Sequence, residues 1–259
     1  MIASDIRVRI GRRTIVDGVD LSAQPGRVTA IVGPNGSGKS TLLRALTGEL
    51  RFDGSILLNG RALQNYTPPE LASVRGVLQQ ASTVAFPFTV REIVGMGLAA
   101  GLAAGDASVP EQALAAVDLR GFADRPFHHL SGGEQQRVQL ARVLAQVWPI
   151  EDIGEPRWLM LDEPVSSLDI GHQSIVMECM KAFAARGGGV ITVMHDLNLT
   201  AMYADHVILM KAGCVLASGP PQTVLADASL SEAYASQVRV NAPPPEGIPY
   251  ILPQIQLLR

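Results

Sequence analysis

The feature that most constrains this chain is an octapeptide, Gly33-Pro34-Asn35-Gly36-Ser37-Gly38-Lys39-Ser40. It lies between a compact apolar run, residues 28–32, and a stretch whose Leu42, Leu43, Leu46 and Thr47 recur at helical spacing. A strand, a glycine-rich loop and a helix in that order make a phosphate cradle. The loop turns several backbone N–H groups inward, and the helix N-terminus adds partial positive charge. In such a cradle Lys39 reaches the β- and γ-phosphates as a point charge. The Ser40 hydroxyl is placed to hold Mg²⁺, and Thr41 falls beside the α-phosphate. A bare glycine turn with an exposed lysine would leave the flanking strand and helix unexplained.

Two further strand ends carry chemistry. Residues 158–164 read WLMLDEP, so Asp162 emerges where an apolar strand stops, at the sheet edge where ligands of α/β proteins bind. Asp162 is a candidate Mg²⁺ ligand. Glu163, pointing elsewhere, is the candidate to orient or deprotonate an attacking water. His195 ends a second apolar run, residues 190–194, where it could hydrogen-bond a γ-phosphate. The other histidines, His128, His129, His172 and His206, are expected at the surface or in packing roles.

Residues 130–134 read LSGGE, just before an amphipathic helix expected over 134–147. Ser131 stands three residues before Glu134, the spacing of a capping box. Gly132 and Gly133 also permit close backbone approach to an anion at the helix end. One nucleotide needs only one cradle, so the turn at Ser131 is expected to serve a nucleotide held by another copy of the chain.

Between these motifs, residues 4–10 alternate as an exposed strand would, and residues 55–58 form another short strand ahead of the Asn59-Gly60 turn. Residues 89–147 read as helices, 148–157 as a polar connector, and 207–210 as a strand turning at Lys211-Ala212-Gly213 into residues 214–217. The tail from Asn241 carries five prolines and is expected to be extended.

The 259 residues suffice for a large core, and the two cysteines, Cys179 and Cys214, lack metal-type spacing and suit a reduced compartment. A formal net charge of -3 and 5% aromatics argue against nucleic acid as a partner. Apolar runs fall short of the roughly 20 residues that span a bilayer. No signal-peptide pattern opens the chain, since Asp5, Arg7 and Arg9 interrupt it. Membrane association is therefore expected through a partner.

Taken together, the octapeptide, LSGGE, WLMLDEP and His195 make the chain resemble the ATP-binding subunits of ABC transporters over nearly its whole length. The resemblance implies an α/β fold: a P-loop NTPase (RecA-like) core, residues 1–80 and 151–259, with an antiparallel β part and an inserted helical subdomain, residues 81–150. It implies ATP and Mg²⁺ as cofactors. It also implies a head-to-tail homodimer, with ATP between the Lys39 cradle of one copy and Ser131, Gly132 and Gly133 of the other. By motif position Gln80 would sense Mg²⁺ and the γ-phosphate, with Gln79 the adjacent alternative. Ser167-Leu168-Asp169 would cross the dimer seam, and His195 would be the switch histidine.

Such proteins usually stack an aromatic residue near position 10 on adenine. Here the candidates are Arg9 and Ile10, so Arg9 is the expected base contact and some use of GTP is expected. Residues 85–90 (AFPFTV), 195–198 (HDLN) and Tyr203-Ala204-Asp205 resemble bacterial importers of iron–siderophores, cobalamin and haem. The connector 147–158, the stretch Ser166-Ser167-Leu168-Asp169 and the tail 247–253 (GIPYILP) are most similar to haem importers. The partners so implied are two transmembrane permease subunits and, indirectly, a periplasmic substrate-binding protein. The implied location is peripheral, on the cytoplasmic face of the bacterial inner membrane. Phe86, Phe88, Val90 and Ile93 are candidates either for a groove taking a permease helix or for the helical core. DNA-repair and ribosome-associated relatives fit less well. Only about 50 residues without sustained heptads separate Gln80 from Leu130, and the chain has a single set of motifs.

Overall fold

The computed structural model of the protein describes residues 1–80, 86–149, 154–244, 247–249 and 251. Strands β1 (Ile2–Ile10) and β2 (Arg13–Ser22) form a hairpin whose inward residues Ala3, Ile6, Val8, Val16 and Val19 are buried. Next come β3 (Val28–Val32), helix α1 (Lys39–Leu46), and strands β4 (Asp53–Leu58) and β5 (Arg61–Ala62). The β4–β5 turn is Asn59-Gly60, both at positive φ. Helix α2 (Pro68–Val74), whose N-terminus is closed by Thr67 and Glu70, leads into β6 (Arg75–Leu78).

Helices α3 (Val90–Ala100), α4 (Val109–Ala116) and α5 (Gly132–Gln146) follow, all within the segment expected to be helical. Then strands and helices alternate: β7 (Trp158–Asp162), α6 (Ile170–Ala185), β8 (Gly189–Val193), α7 (Leu197–Tyr203), β9 (His206–Lys211) and β10 (Cys214–Gly219). Helices α8 (Pro221–Val224) and α9 (Asp227–Tyr234) end the regular structure among the described residues. Among the described residues no helix is long and apolar enough to cross a membrane.

Two sheets result. An antiparallel one has the order β2-β1-β4-β5. The other runs β10-β9-β3-β8-β7-β6 and is parallel except for β10. Strands β3, β7 and β8 are buried along their whole length, as strands covered on both faces must be. The pleat sorts their side chains. Trp158 and Met160 join α1 and the antiparallel sheet in one apolar cluster. Leu159 and Leu161 face the other side, in a cluster shared with α3, α5 and α6.

That second cluster bears on two expectations. It is continuous from the strands into the helical segment, so α3 and α5 share the core of the parallel sheet. It also takes up Val90 and Ile93, both essentially inaccessible. These two therefore belong to the core and line no docking groove, because the Thr89 cap that starts α3 turns their side chains inward. Phe86 differs, at 70% exposed, with its ring centroid 6.0 Å from that of Phe88. Ala85, residues 150–153 of the connector and much of the tail, including Tyr250 and Pro253, lie outside the described residues.

Candidate functional site

Strand order assembles the site. The adjacent strands β3, β8, β7 and β6 point their carboxyl ends the same way. The chain leaves them respectively into the glycine-rich loop, His195, Asp162-Glu163 and Gln79-Gln80. Parallel register aligns Asp162 with Val193 and Leu78 with Leu161, so four remote segments meet at one edge.

The loop is tightly seated. Gly33 has φ 146 and Gly38 has φ 100. A Cβ on Gly33 would run into the Met210 carbonyl, and one on Gly38 would lie 2.9 Å from the Ile15 carbonyl. The Lys39 amine donates to the carbonyls of Gly33 at 2.9 Å and Pro34 at 3.1 Å, closing the loop on itself. Burial pushes Lys39 below its ordinary value, partly offset by the nearby charges of Glu163 and Asp162. The Ser40 hydroxyl donates to Asp162 Oδ1 at 3.0 Å. Burial raises the Asp162 carboxyl, and the Ser40 bond opposes that.

Glu163 has partners other than those of Asp162 and is held from two sides. Gln80 Nε2 donates to its Oε2 at 2.9 Å, and its Oε1 lies 2.6 Å from His195 Nε2. Its backbone sits at φ 52, a left-handed conformation seldom taken by a glutamate. The Glu163 N–H donates to the Val193 carbonyl at 3.1 Å, which fixes the turn against β8. Gln79 instead donates to Glu49 at 3.1 Å, so of the two glutamines Gln80 is the one in the cleft.

A cleft of about 840 Å³ runs along this edge, lined by Asn35, Gly36, Gly38, Lys39, Ser40, Thr41, Gln80, Glu163 and His195. Arg13 and Ile15 of β2 complete its wall. Arg9, expected at the base, lies elsewhere. It lines a separate cleft with Leu50, Phe52 and Leu71. The β1–β2 hairpin causes this: Arg9 lies on β1, paired with Thr14, whereas Arg13 and Ile15 lie on β2, the strand whose Ile15 carbonyl stands beside the loop at Gly38. No local signal in the sequence reveals that crossing.

Ser131, Gly132 and Gly133 do not line this cleft. They start α5 on an exposed face, where Ser131 accepts from the Glu134 N–H at 3.3 Å, while its own N–H and hydroxyl donate to the Glu134 carboxylate at 2.7 and 2.8 Å. These bonds hold Glu134 below the usual carboxylate range. His128 and His129 are exposed with their rings edge to face, His172 pairs with Asp169 on α6, and His206 contacts Ser218. None of the four enters the cleft.

Residues 16–166 match the ABC transporter family. The chain is 57% identical over 251 residues to the hemin import ATP-binding protein HmuV of Roseobacter denitrificans, covering 97% of this chain and 96% of the relative. It is 56% identical over 256 residues to the protein of the same name from Jannaschia sp., covering 98% and 94%. Among solved structures, the dimeric structure of MJ0796, a bacterial ABC transporter cassette, superposes with a TM-score of 0.72 at 25% identity, covering 85% of this chain and 98% of that one. By the family match and by relatives aligned from end to end, this chain belongs to the ABC transporter family.

Proposed function

We propose that the chain is the ATP-hydrolysing subunit of a bacterial hemin importer, working as a head-to-tail homodimer docked on two transmembrane permease subunits at the cytoplasmic face of the inner membrane. A periplasmic substrate-binding protein would deliver cargo to the permease. The carrying observation is the carboxylate of Glu163, held between Gln80 and His195 at the mouth of the Lys39 loop. The cargo rests on the relatives named for hemin import over nearly their full length.

In this reading the backbone of residues 33–38 and the Lys39 amine take the phosphates of ATP. Lys39 gives up its bonds to the Gly33 and Pro34 carbonyls as it does so. Glu163 takes a proton from a water as the water oxygen attacks the γ-phosphorus and the bond to ADP breaks. Gln80 and His195 aim the carboxylate, and His195 is the donor for the γ-phosphate. The Ser40 hydroxyl, the Asp162 carboxylate and the Gln80 amide oxygen are hard oxygen donors of the kind Mg²⁺ takes, and the Ser40–Asp162 contact already brings two of them together. When bound, Mg²⁺ would neutralise phosphate charge. Ser131 and Gly132, both exposed, and half-buried Gly133 lie outside their own chain's cleft and are read as the closing face for the partner's ATP.

Glu163→Gln tests this. ATP binding should persist, turnover should fall by roughly 10²–10⁴-fold, and an ATP-dependent dimer should accumulate on a sizing column. Adding Ser131→Arg should abolish that dimer while keeping ATP affinity. Normal turnover of Glu163→Gln, or an undisturbed dimer with Ser131→Arg, overturns the reading. Hemin-stimulated hydrolysis by the complex with its permease in liposomes tests the cargo.

A further inference from the structure

We propose that Gln136 is a positioning residue for Glu163, tying the helix that begins at the Ser131 turn to the main chain of the residue read as the base. The inference rests on that reading of Glu163. Gln136 lies in the first turns of α5 and is half-buried. Its amide Nε2 donates to the Glu163 carbonyl at 3.2 Å, and its Oε1 accepts a hydrogen bond from the Ser167 hydroxyl. One side chain therefore grips both the backbone of Glu163 and the loop that follows it.

The Glu163 carbonyl also accepts from the Ser166 N–H at 3.3 Å and the Ser166 hydroxyl at 3.2 Å. Those two donors belong to the turn that Glu163 itself begins, whereas the Gln136 amide comes from a separate helix. The distinction matters because Glu163 sits at φ 52. A non-glycine residue stays in that region only where its surroundings over-determine it. The Val193 carbonyl fixes the N–H side of the residue and the Gln136 amide bears on the C=O side. The peptide plane so held sets where the carboxylate leaves the backbone.

Packing supports the same link. A Cβ on Gly133 would lie 3.1 Å from Leu168 Cδ2, so the first turn of α5 rests against the loop that carries Ser167. A displacement of α5 would be felt at the Glu163 carbonyl through Gln136 without passing through nucleotide. The face that would receive the partner's ATP is thereby wired to the carboxylate of its own chain.

The test is a double-mutant cycle with ATPase kinetics. Gln136→Ala should lower kcat about tenfold, while KM for ATP stays within about twofold, the pattern of an interaction that serves the reaction rather than binding. In a Glu163→Gln background the same substitution should change single-turnover hydrolysis by less than about twofold, because the carboxylate that the held backbone aims is already gone. An unchanged kcat for Gln136→Ala overturns the proposal, as does an equal loss in both backgrounds. If the alanine variant melts early, Gln136→Glu is read instead. That carboxylate still accepts from Ser167 but cannot donate to the Glu163 carbonyl, so the same loss is expected and wild-type turnover overturns the proposal. Normal hydrolysis by Glu163→Gln alone would instead sink the base assignment, a separately visible failure.

Discussion

Oε1 of Glu163 lies 2.6 Å from Nε2 of His195, although 32 residues separate them. The pairing follows from parallel register. Asp162 is aligned with Val193 on neighbouring strands, and each chain then takes a short step out of the sheet toward the other.

His195→Ala should therefore lower turnover by about 10²-fold, the low end for a group serving proton transfer. ATP affinity should fall by only about a few-fold, the loss of one hydrogen bond, because Lys39 and the loop backbone make most of the phosphate contacts. Phosphate release and nucleotide titration on the same sample check this. A large loss of affinity with intact turnover would make His195 a binding residue.

The glycines of the loop differ in what they tolerate. Gly33 is at φ 146 with the Met210 carbonyl in the way of any Cβ, whereas Gly36 is at φ 77 with nothing within 4 Å. Gly36→Ala should cost only about 1–2 kcal/mol of backbone strain. Gly33→Ala adds a collision with backbone and should cost upward of about 3 kcal/mol, with loss of ATP binding. Urea melts of the two variants should separate them clearly.

Much of this was legible in the chain because its signals are local. An apolar run, a glycine loop and a helical repeat around Lys39 lie within twenty residues, and the Ser131–Glu134 cap is a four-residue pattern. The apolar runs ending at Asp162 and His195 gave the strand ends correctly, since strands buried on both faces need no alternation. What escaped was long-range. Arg13 rather than Arg9 reaches the cleft because a hairpin crosses the loop, and Gln136 reaches Glu163 across 27 residues. Val90 and Ile93 look the same in a groove or a core until the helix they sit on is oriented.

The titration of Lys39 gives a pH prediction with a definite sign. Burial lowers its value below 10.5, and the charges of Glu163 and Asp162 hold it up. Only the protonated amine attracts phosphate strongly, so ATP affinity should begin to fall at a pH below 10.5 as the proton leaves the free protein. Glu163→Gln removes one of the supporting charges, so its alkaline fall should begin at lower pH than in the wild type. Fluorescent-nucleotide titrations across pH 7–10.5 would show it. A shift in the opposite direction would mean that Glu163 does not act on Lys39.

The base of the nucleotide gives the last prediction. The wall beside Gly38 and Thr41 is built by Arg13 and Ile15, and Arg9 faces another cleft. A guanidinium plane can stack on a purine, but it supplies no hydrogen-bond pattern that accepts adenine and rejects guanine. Arg13→Ala should raise KM for ATP several-fold, about 1 kcal/mol for an exposed cation–π contact, and should raise KM for GTP by a similar factor. Arg9→Ala should leave both unchanged. Steady-state hydrolysis of ATP and GTP by the two variants decides between the arginines: loss on Arg9→Ala with a silent Arg13→Ala would put the base against the other limb of the hairpin. Strong rejection of GTP by the wild type would require a base-reading group that neither arginine provides.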